Sequence, residues 1–298
     1  MTNPHPMRDI LCVAMASGYA VGYFEIWDQY SVEAVLEAAE ESRSPVIIGF
    51  GCELMNQAWY DGGGAHRLAA LGLAAAQDAR VPVSLILNEA ATFEQVTQGL
   101  AWGYNAVMLD TSRLPVDENI AATRRVAEAA HAVGADAEGE LGRLPDASGS
   151  LGSPHESSLT DPDEAARYVA ETGIDALSVS VGNVHVMRQG EVDVDSDRLA
   201  AIHGAVKVPL VIHGGSGFPE RAVPRAIELG VAKFNVGTVL RRIFLDHVRE
   251  TMGALPPEVN LQEVVGSRKV ADLLQPAKEA VKAEVERRLA LYGSAGKV

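Results

Sequence analysis

Two glycine-rich segments in the last third of the chain have the composition of an anion cradle: His213-Gly-Gly-Ser-Gly217 and Asn235-Val-Gly-Thr238. Glycines let successive backbone N–H groups close on a negatively charged oxygen, and Ser216 and Thr238 add hydroxyl donors. Taken alone, a Gly-Gly-Ser-Gly stretch is most often a turn. Each segment, however, ends a short strand-like run, and other such runs also end in residues able to move protons or bind cations. These are Glu25, Glu53, Asn88 with Glu89, Asp110, Glu138 with Glu140, and Asn183 with His185. His185 and His213, with carboxylates on neighbouring tips, could form an open site for Zn²⁺ or a similar divalent ion. A hydrogen-bonded structural role is the alternative for this pair. It is the reading adopted for His5, His66, His131, His155, His203 and His247.

Positioning these tips on one surface requires a particular set of elements. Eight strand patterns recur with helical patterns between them: 21–26, 46–50, 83–87, 106–110, 136–141, 176–181, 210–213 and 233–236. Runs such as VIIGF and VSLIL are almost unbroken apolar stretches, as strands covered on both faces should be. Eight strand-helix units in about 250 residues point to a (β/α)₈ TIM barrel, with an open doubly wound sheet as the alternative. In such a barrel catalytic groups sit at the C-terminal ends of strands, and the loops after strands seven and eight commonly hold phosphate. The two glycine-rich segments fall on those two loops.

Helix starts are marked by Thr92-Phe-Glu-Gln95, a capping-box pattern, and by Asp161-Pro-Asp-Glu164, with proline at the first helical position. The Gly/Ser/Pro-rich stretch 145–160 is a candidate active-site lid. The tail from Leu274 reads as a further helix, so the expectation is a single barrel domain over 1–298 with a C-terminal helical extension. With 40 acidic against 25 basic residues the net charge is −15, which disfavours nucleic acid or an anionic membrane as main partner. No run approaches the roughly 20 apolar residues of a spanning helix, and the first residues lack a leader pattern, so a cytoplasmic protein is expected. Cys12 and Cys52 are expected to be small buried hydrophobes.

The motifs GYAVGYFEI, SPVII, Ala106-Val-Met-Leu-Asp110, Ala137-Glu-Gly-Glu-Leu-Gly142, Gly182-Asn-Val-His185, Val211-Ile-His-Gly-Gly-Ser-Gly217, Ala232-Lys-Phe-Asn-Val-Gly-Thr238 and GSAGK resemble the class II, metal-dependent fructose- and tagatose-bisphosphate aldolases. The likeness runs in one order from about Ser17 to the C-terminus. It implies a barrel that forms dimers or tetramers and uses a divalent metal, commonly Zn²⁺, to polarise the carbonyl of dihydroxyacetone phosphate and stabilise its enediolate. Under the resemblance, His185 and His213 match two of three metal ligands. Gly214, Gly215, Ser216, Asn235, Val236, Gly237 and Thr238 match the binding segments for the ketose phosphate, and Glu138 matches a glutamate close to the metal.

The departures from the family pattern are concentrated at the same tips. Where the family ends strand three in Asp-His, the acid/base and the third metal ligand, this chain has Asn88-Glu89. An amide is not a carboxyl-type proton shuttle near neutral pH. Glu89 would then be the third metal ligand, which weakens the Lewis acid and suits Mn²⁺ or Mg²⁺ better than three histidines do. Glu25 and Asp28 stand where the family has amides, Glu53 appears beyond strand two, and Val186 and Gln189 replace a glycine and a lysine. Carboxylates moving in as one carboxylate and one imidazole move out describe a rebuilt site.

The expectation is a metal-dependent lyase acting on a phosphorylated keto-sugar or related keto compound, with little ordinary fructose-bisphosphate cleavage. Glu25 is the expected acid/base, and Asn88 and Asn235 are placed with it in the catalytic group. The alternatives are an isomerase, epimerase or decarboxylase sharing the intermediate, or a non-catalytic phosphosugar-binding subunit. Trp27 and Trp59 could stack on a sugar or serve only as packing.

Overall fold

The computed structural model describes residues 4–52, 55–144, 158–183 and 194–298. Eight parallel strands close in chain order: β1 (Val21–Glu25), β2 (Val46–Gly51), β3 (Val83–Ala90), β4 (Ala106–Leu109), β5 (Asp136–Leu141), β6 (Ala176–Val179), β7 (Leu210–Ile212) and β8 (Val231–Val236). Residues Val21 to Phe24 pair with Lys233 to Val236, so β8 returns to β1 and the open-sheet alternative is excluded. All eight expected strands are present. β3 extends three residues beyond expectation, for a reason that matters to the site.

Strand alternation divides the apolar residues between two cores. Val21, Tyr23, Ile47, Ile86, Met108 and Val211 point into the barrel. Phe24, Ile48, Leu85, Val107, Ile212 and Phe234 face outward and pack beneath the helices. Each such side chain, fully buried, contributes about 1.5–3 kcal/mol. The base of the barrel is closed by the helix Met7–Ala16, whose Met7, Ile10, Leu11 and Ala14 form one apolar stripe at helical spacing. The sequence reading assigned no element to these residues. Position 12 falls off that stripe, so Cys12 is exposed, correcting the expectation of two buried cysteines; Cys52 is buried.

Both expected helix starts are present. Thr92 Oγ1 accepts from Gln95 N at 3.2 Å, although the Gln95 side chain reaches back to Ala91 N at 2.7 Å and not to the cap's own N–H. Asp161 caps Pro162–Thr172 by accepting from Asp163 N and Glu164 N. The C-terminal helix Gln275–Leu291 buries Ala277, Val281, Val285 and Leu289 on one face against the helices Gln29–Glu41 and Thr238–Ala254. Just beyond it, Tyr292 stacks on Phe234 of β8, with ring centroids 4.7 Å apart. Most of the proposed lid, 145–157, lies outside the described residues. Among the described residues no helix is long and apolar enough to cross a membrane.

Candidate active site

The residues that carry the chemistry gather at the C-terminal mouth of the barrel, and β5 shows how the chain folds to place them. Asp136, Glu138 and Glu140 alternate with Ala137, Gly139 and Leu141, so period-two geometry turns all three acids inward. His213 directly follows β7 and is fully buried. Its Nε2 meets Glu138 Oε1 at 2.9 Å, while its Nδ1 faces Glu140 Oε2 at 3.1 Å and Glu89 Oε1 at 3.2 Å. Burial pushes the His213 pKa down, but hydrogen bonds accepted by Glu138, Glu140 and Glu89 outweigh it and hold the imidazole well above its ordinary value.

Glu138 is held from its other side by Lys233 of β8, whose Nζ lies 2.6 Å from Oε2. Both side chains are fully buried. Burial would raise the Glu138 pKa, yet the Lys233 charge and the His213 hydrogen bond bring it below the ordinary glutamate value. The sequence reading did not single out Lys233. A lysine among the apolar residues of a buried strand was the available signal, because an ammonium is rarely buried without a partner.

Glu89 reaches this cluster through a backbone irregularity. Asn88 points inward by alternation with Ser84 and Ile86, so Glu89 should point outward. Instead the pairing of β3 with β4 shifts register between Leu87 and Ala90, and Glu89 adopts φ +51°. This bulge extends β3 and turns two successive side chains toward the mouth. A non-glycine residue held there costs on the order of 1–3 kcal/mol, the kind of strain that marks functional sites.

The glycine-rich segments lie beside this cluster. Gly215 N donates to Asn235 O at 2.8 Å, and a Cβ on Gly215 would stand 2.7 Å from that same oxygen, so only glycine allows the approach. Ser216 Oγ accepts from Val239 N at 3.3 Å. The helix Thr238–Ala254 begins here with Gly237 at its N-cap, which supplies no side-chain cap, and its N–H groups give the segment the character of an anion site. From behind, Arg288 Nη1 donates to Gly215 O at 3.2 Å, coupling the C-terminal helix to this loop.

Glu25 stands at the same rim, but not as a free carboxylate. Its two oxygens accept from Arg241 Nη2 at 2.8 Å and Nε at 3.1 Å. A Cβ on Gly237 would come 2.4 Å from Glu25 Oε2, which places the carboxylate against the anion segment. Arg241 lies 4.9 Å from the ring centroid of Trp27, and Trp27 packs edge-on against Phe244, so this tryptophan belongs to packing around the ion pair. Trp59 is partly exposed on the short helix Gln57–Asp61. Sequence reading missed Arg241, one helical turn beyond the second glycine-rich segment.

Several polar atoms in the mouth are buried without a hydrogen-bond partner among the described residues: Asn88 Oδ1, both amide atoms of Asn235, and the Tyr23 hydroxyl. Burial, reinforced by Glu25 and Glu89, keeps the Tyr23 phenol protonated far above neutrality. Other tips have structural work. Asp28 caps Gln29–Glu41 by accepting from Ser31 N, Asp110 accepts from Ser112 N and Oγ, and Asn183 donates to His213 O at 2.9 Å. His185, Glu53, Val186 and Gln189 lie outside the described residues.

The donor set around His213 Nδ1 suits a divalent cation in kind, with one imidazole nitrogen and two carboxylates directed at one point. Here the carboxylates close on the imidazole, and among the described residues no three His, Cys, Asp or Glu side chains stand spread around an ion-sized space.

Comparison with known proteins agrees with this architecture. A family model described as fructose-bisphosphate aldolase class-II matches residues 5–297. The chain is 38% identical to a fructose-bisphosphate aldolase of Thermus caldophilus, over 97% of this chain and 98% of that one. It is 34% identical to a 6-phospho-5-dehydro-2-deoxy-D-gluconate aldolase of Shouchella clausii, over 98% and 95%. Among solved structures it resembles the YdjI aldolase of Escherichia coli K12, with a TM-score of 0.81 and 30% identity over 100% of this chain and 99% of that one.

Proposed function

The chain belongs to the class II fructose-bisphosphate aldolase family, carbon–carbon lyases that typically depend on Zn²⁺, and from that premise we propose that it cleaves a phosphorylated keto-sugar other than fructose bisphosphate. One observation carries this reading most of the way. His213, whose Nδ1 faces Glu89 and Glu140, is followed without interruption by the Gly214-Gly215-Ser216 cradle. A cation-binding point and an anion-binding point on consecutive residues suit a substrate whose carbonyl lies close to its phosphate.

His213, Glu89 and His185, with Glu140 added by the geometry, would hold the cation. When bound, the cation supplies electrophilic polarisation of the substrate carbonyl. Zn²⁺ is the family's usual choice, and the carboxylates suit Mn²⁺ or Mg²⁺ as well. The phosphate is held by the backbone N–H groups and hydroxyls of Gly214, Gly215, Ser216, Asn235, Val236, Gly237 and Thr238. Asn88, Asn235 and Tyr23 present unpartnered polar atoms to the substrate's hydroxyls, and a substrate lacking those hydroxyls would leave them buried and unpaired.

Proton handling is where this chain differs from the pattern that the resemblance implies. Asn88 stands where the resemblance places the acid/base, and Glu25 is the proposed replacement. Both oxygens of Glu25 are engaged by the Arg241 guanidinium, so neither is directed at a substrate atom. Glu25 therefore acts only after Arg241, which is partly exposed, turns to an anionic group of the substrate.

The test is incubation with Zn²⁺ or Mn²⁺ and dihydroxyacetone phosphate in deuterium oxide, alongside a cleavage panel of keto-sugar phosphates that includes fructose bisphosphate. We expect exchange of the proton beside the carbonyl, cleavage of at least one panel member, and little cleavage of fructose bisphosphate. Efficient cleavage of fructose bisphosphate would overturn the inference from Asn88. Neither exchange nor cleavage anywhere in the panel would overturn the catalytic reading of the site.

A further inference from the structure

Lys233 is a fully buried charge in the barrel interior, level with Val21 of β1, and the proposed chemistry gives it nothing to do. It touches neither the anion segments nor the point shared by Glu89 and Glu140. Its Nζ lies 2.6 Å from Glu138 Oε2 and 5.0 Å from the ring centroid of Tyr23, and it is fully buried. The other oxygen of Glu138 meets His213 Nε2 at 2.9 Å. Lys233, Glu138 and His213 thus form a succession of polar contacts from the barrel interior to the site.

A buried ion pair adds little net stability, because the desolvation of both charges offsets their attraction, and two apolar side chains could fill the same space. What an ion pair supplies that apolar packing cannot is direction. Each Glu138 oxygen has one partner, so the carboxylate cannot rotate without stranding the Lys233 ammonium. His213 in turn cannot flip its ring without breaking the Nε2 contact, and its backbone carbonyl is tied to Asn183 Nδ2 at 2.9 Å. A carboxylate behind a metal-ligating imidazole commonly fixes which nitrogen faces the ion.

We infer that Lys233 is a positioning residue that locks Glu138 onto Nε2 of His213 and so commits Nδ1 to the divalent cation shared with Glu89 and Glu140. The inference rests on the reading of His213 as a cation ligand. It also removes Glu138 from the ligand set, since neither of its oxygens is available to the ion.

The experiment uses the full chain. Zn²⁺ affinity is measured by competition with a chromophoric chelator, and the ring nitrogen facing Zn²⁺ is identified from ¹⁵N signals of labelled histidine, for wild type, Lys233→Met, Lys233→Arg and His213→Ala. We expect Lys233→Met to weaken Zn²⁺ binding about 10- to 100-fold and to replace the single Nδ1-bound signal of His213 with a mixture. Lys233→Arg, which keeps the charge on Glu138, should recover most of both. If Lys233→Met fails to fold, the charge-neutral Lys233→Met/Glu138→Gln pair takes its place with the same expected loss. A folded variant of either kind with wild-type affinity and a single Nδ1-bound signal would overturn the positioning role. Equal Zn²⁺ affinity in wild type and His213→Ala would overturn the cation reading itself, and this inference with it.

Discussion

The two ends of the barrel are built from the same eight strands and differ in almost everything else. At the base, Met7, Leu11 and Ala14 of the N-terminal helix meet Val21, Ile47 and other apolar side chains. From the interior up to the mouth, Lys233, Glu138 and His213 are buried as completely, and at the mouth Asn88 and Asn235 keep polar atoms without partners. β5 spans both environments. Asp136, at its start, is raised above its ordinary pKa by burial despite Arg8, whose backbone N–H it accepts at 2.9 Å. Glu138, two residues on and equally buried, is lowered because Lys233 and His213 flank it. Burial is common to both carboxylates, so the partners decide the sign. The base is organised for cohesion, whereas the mouth keeps charges that cohesion does not require.

The sharpest way to break this contrast is to remove His213. His213→Ala should lower deuterium exchange into dihydroxyacetone phosphate by about 10³-fold or more, a loss of roughly 4 kcal/mol in transition-state stabilisation. A variant retaining wild-type exchange would mean that the mouth is not the catalytic end. Leu11→Ala probes the opposite end. It should cost about 2–5 kcal/mol of stability in chemical denaturation while leaving the exchange rate of the folded protein essentially unchanged. A fall in rate without a fall in stability would show that the two ends are not separable.

Glu25→Gln tests a single role within the mouth. Exchange should slow by about a hundredfold, the lower range for losing a general acid/base. Unchanged exchange would transfer that role to another rim group.

The smallest expected effect is the pH response of Asp136. Its folded-state pKa lies above the unfolded one, so its contribution is fully present below the ordinary aspartate value and is lost as pH rises through the folded value. Asp136→Asn removes this titration and keeps an acceptor for Arg8 N. Melting curves between about pH 4 and about pH 7 should therefore show the variant gaining on wild type as pH rises. A gain in the opposite direction would show that the Arg8 contact outweighs burial at the base.

Much of this molecule could be read without coordinates. The number, order and approximate limits of the strands follow from local apolar runs, and their count and spacing favour a closed barrel over an open sheet, a choice that the pairing of β8 with β1 decides. The glycine-rich segments were recognisable because backbone access to an anion requires residues without a Cβ, a property visible in one dimension. The acids of β5 declared themselves by alternation.

What the sequence determined by itself was which residues stand at strand tips and which way regular alternation points them. Only the tertiary structure decided which tips meet. Glu138 and His213 are 75 residues apart and Lys233 and Glu138 are 95 apart, and both contacts exist because the curvature of the closed sheet turns β5 toward β7 and β8 across the interior, although none of these pairs is β5 with a hydrogen-bonded neighbour. Glu89 faces inward through a bulge that overrides alternation, and Glu25 is bound by an arginine from the helix after the last strand. Alternation is a property of one strand and is written locally. The stagger between strands, the bulge and the pairing of charges across the interior are set by the closed sheet as a whole, where a buried charge must find its partner among residues brought together by the fold.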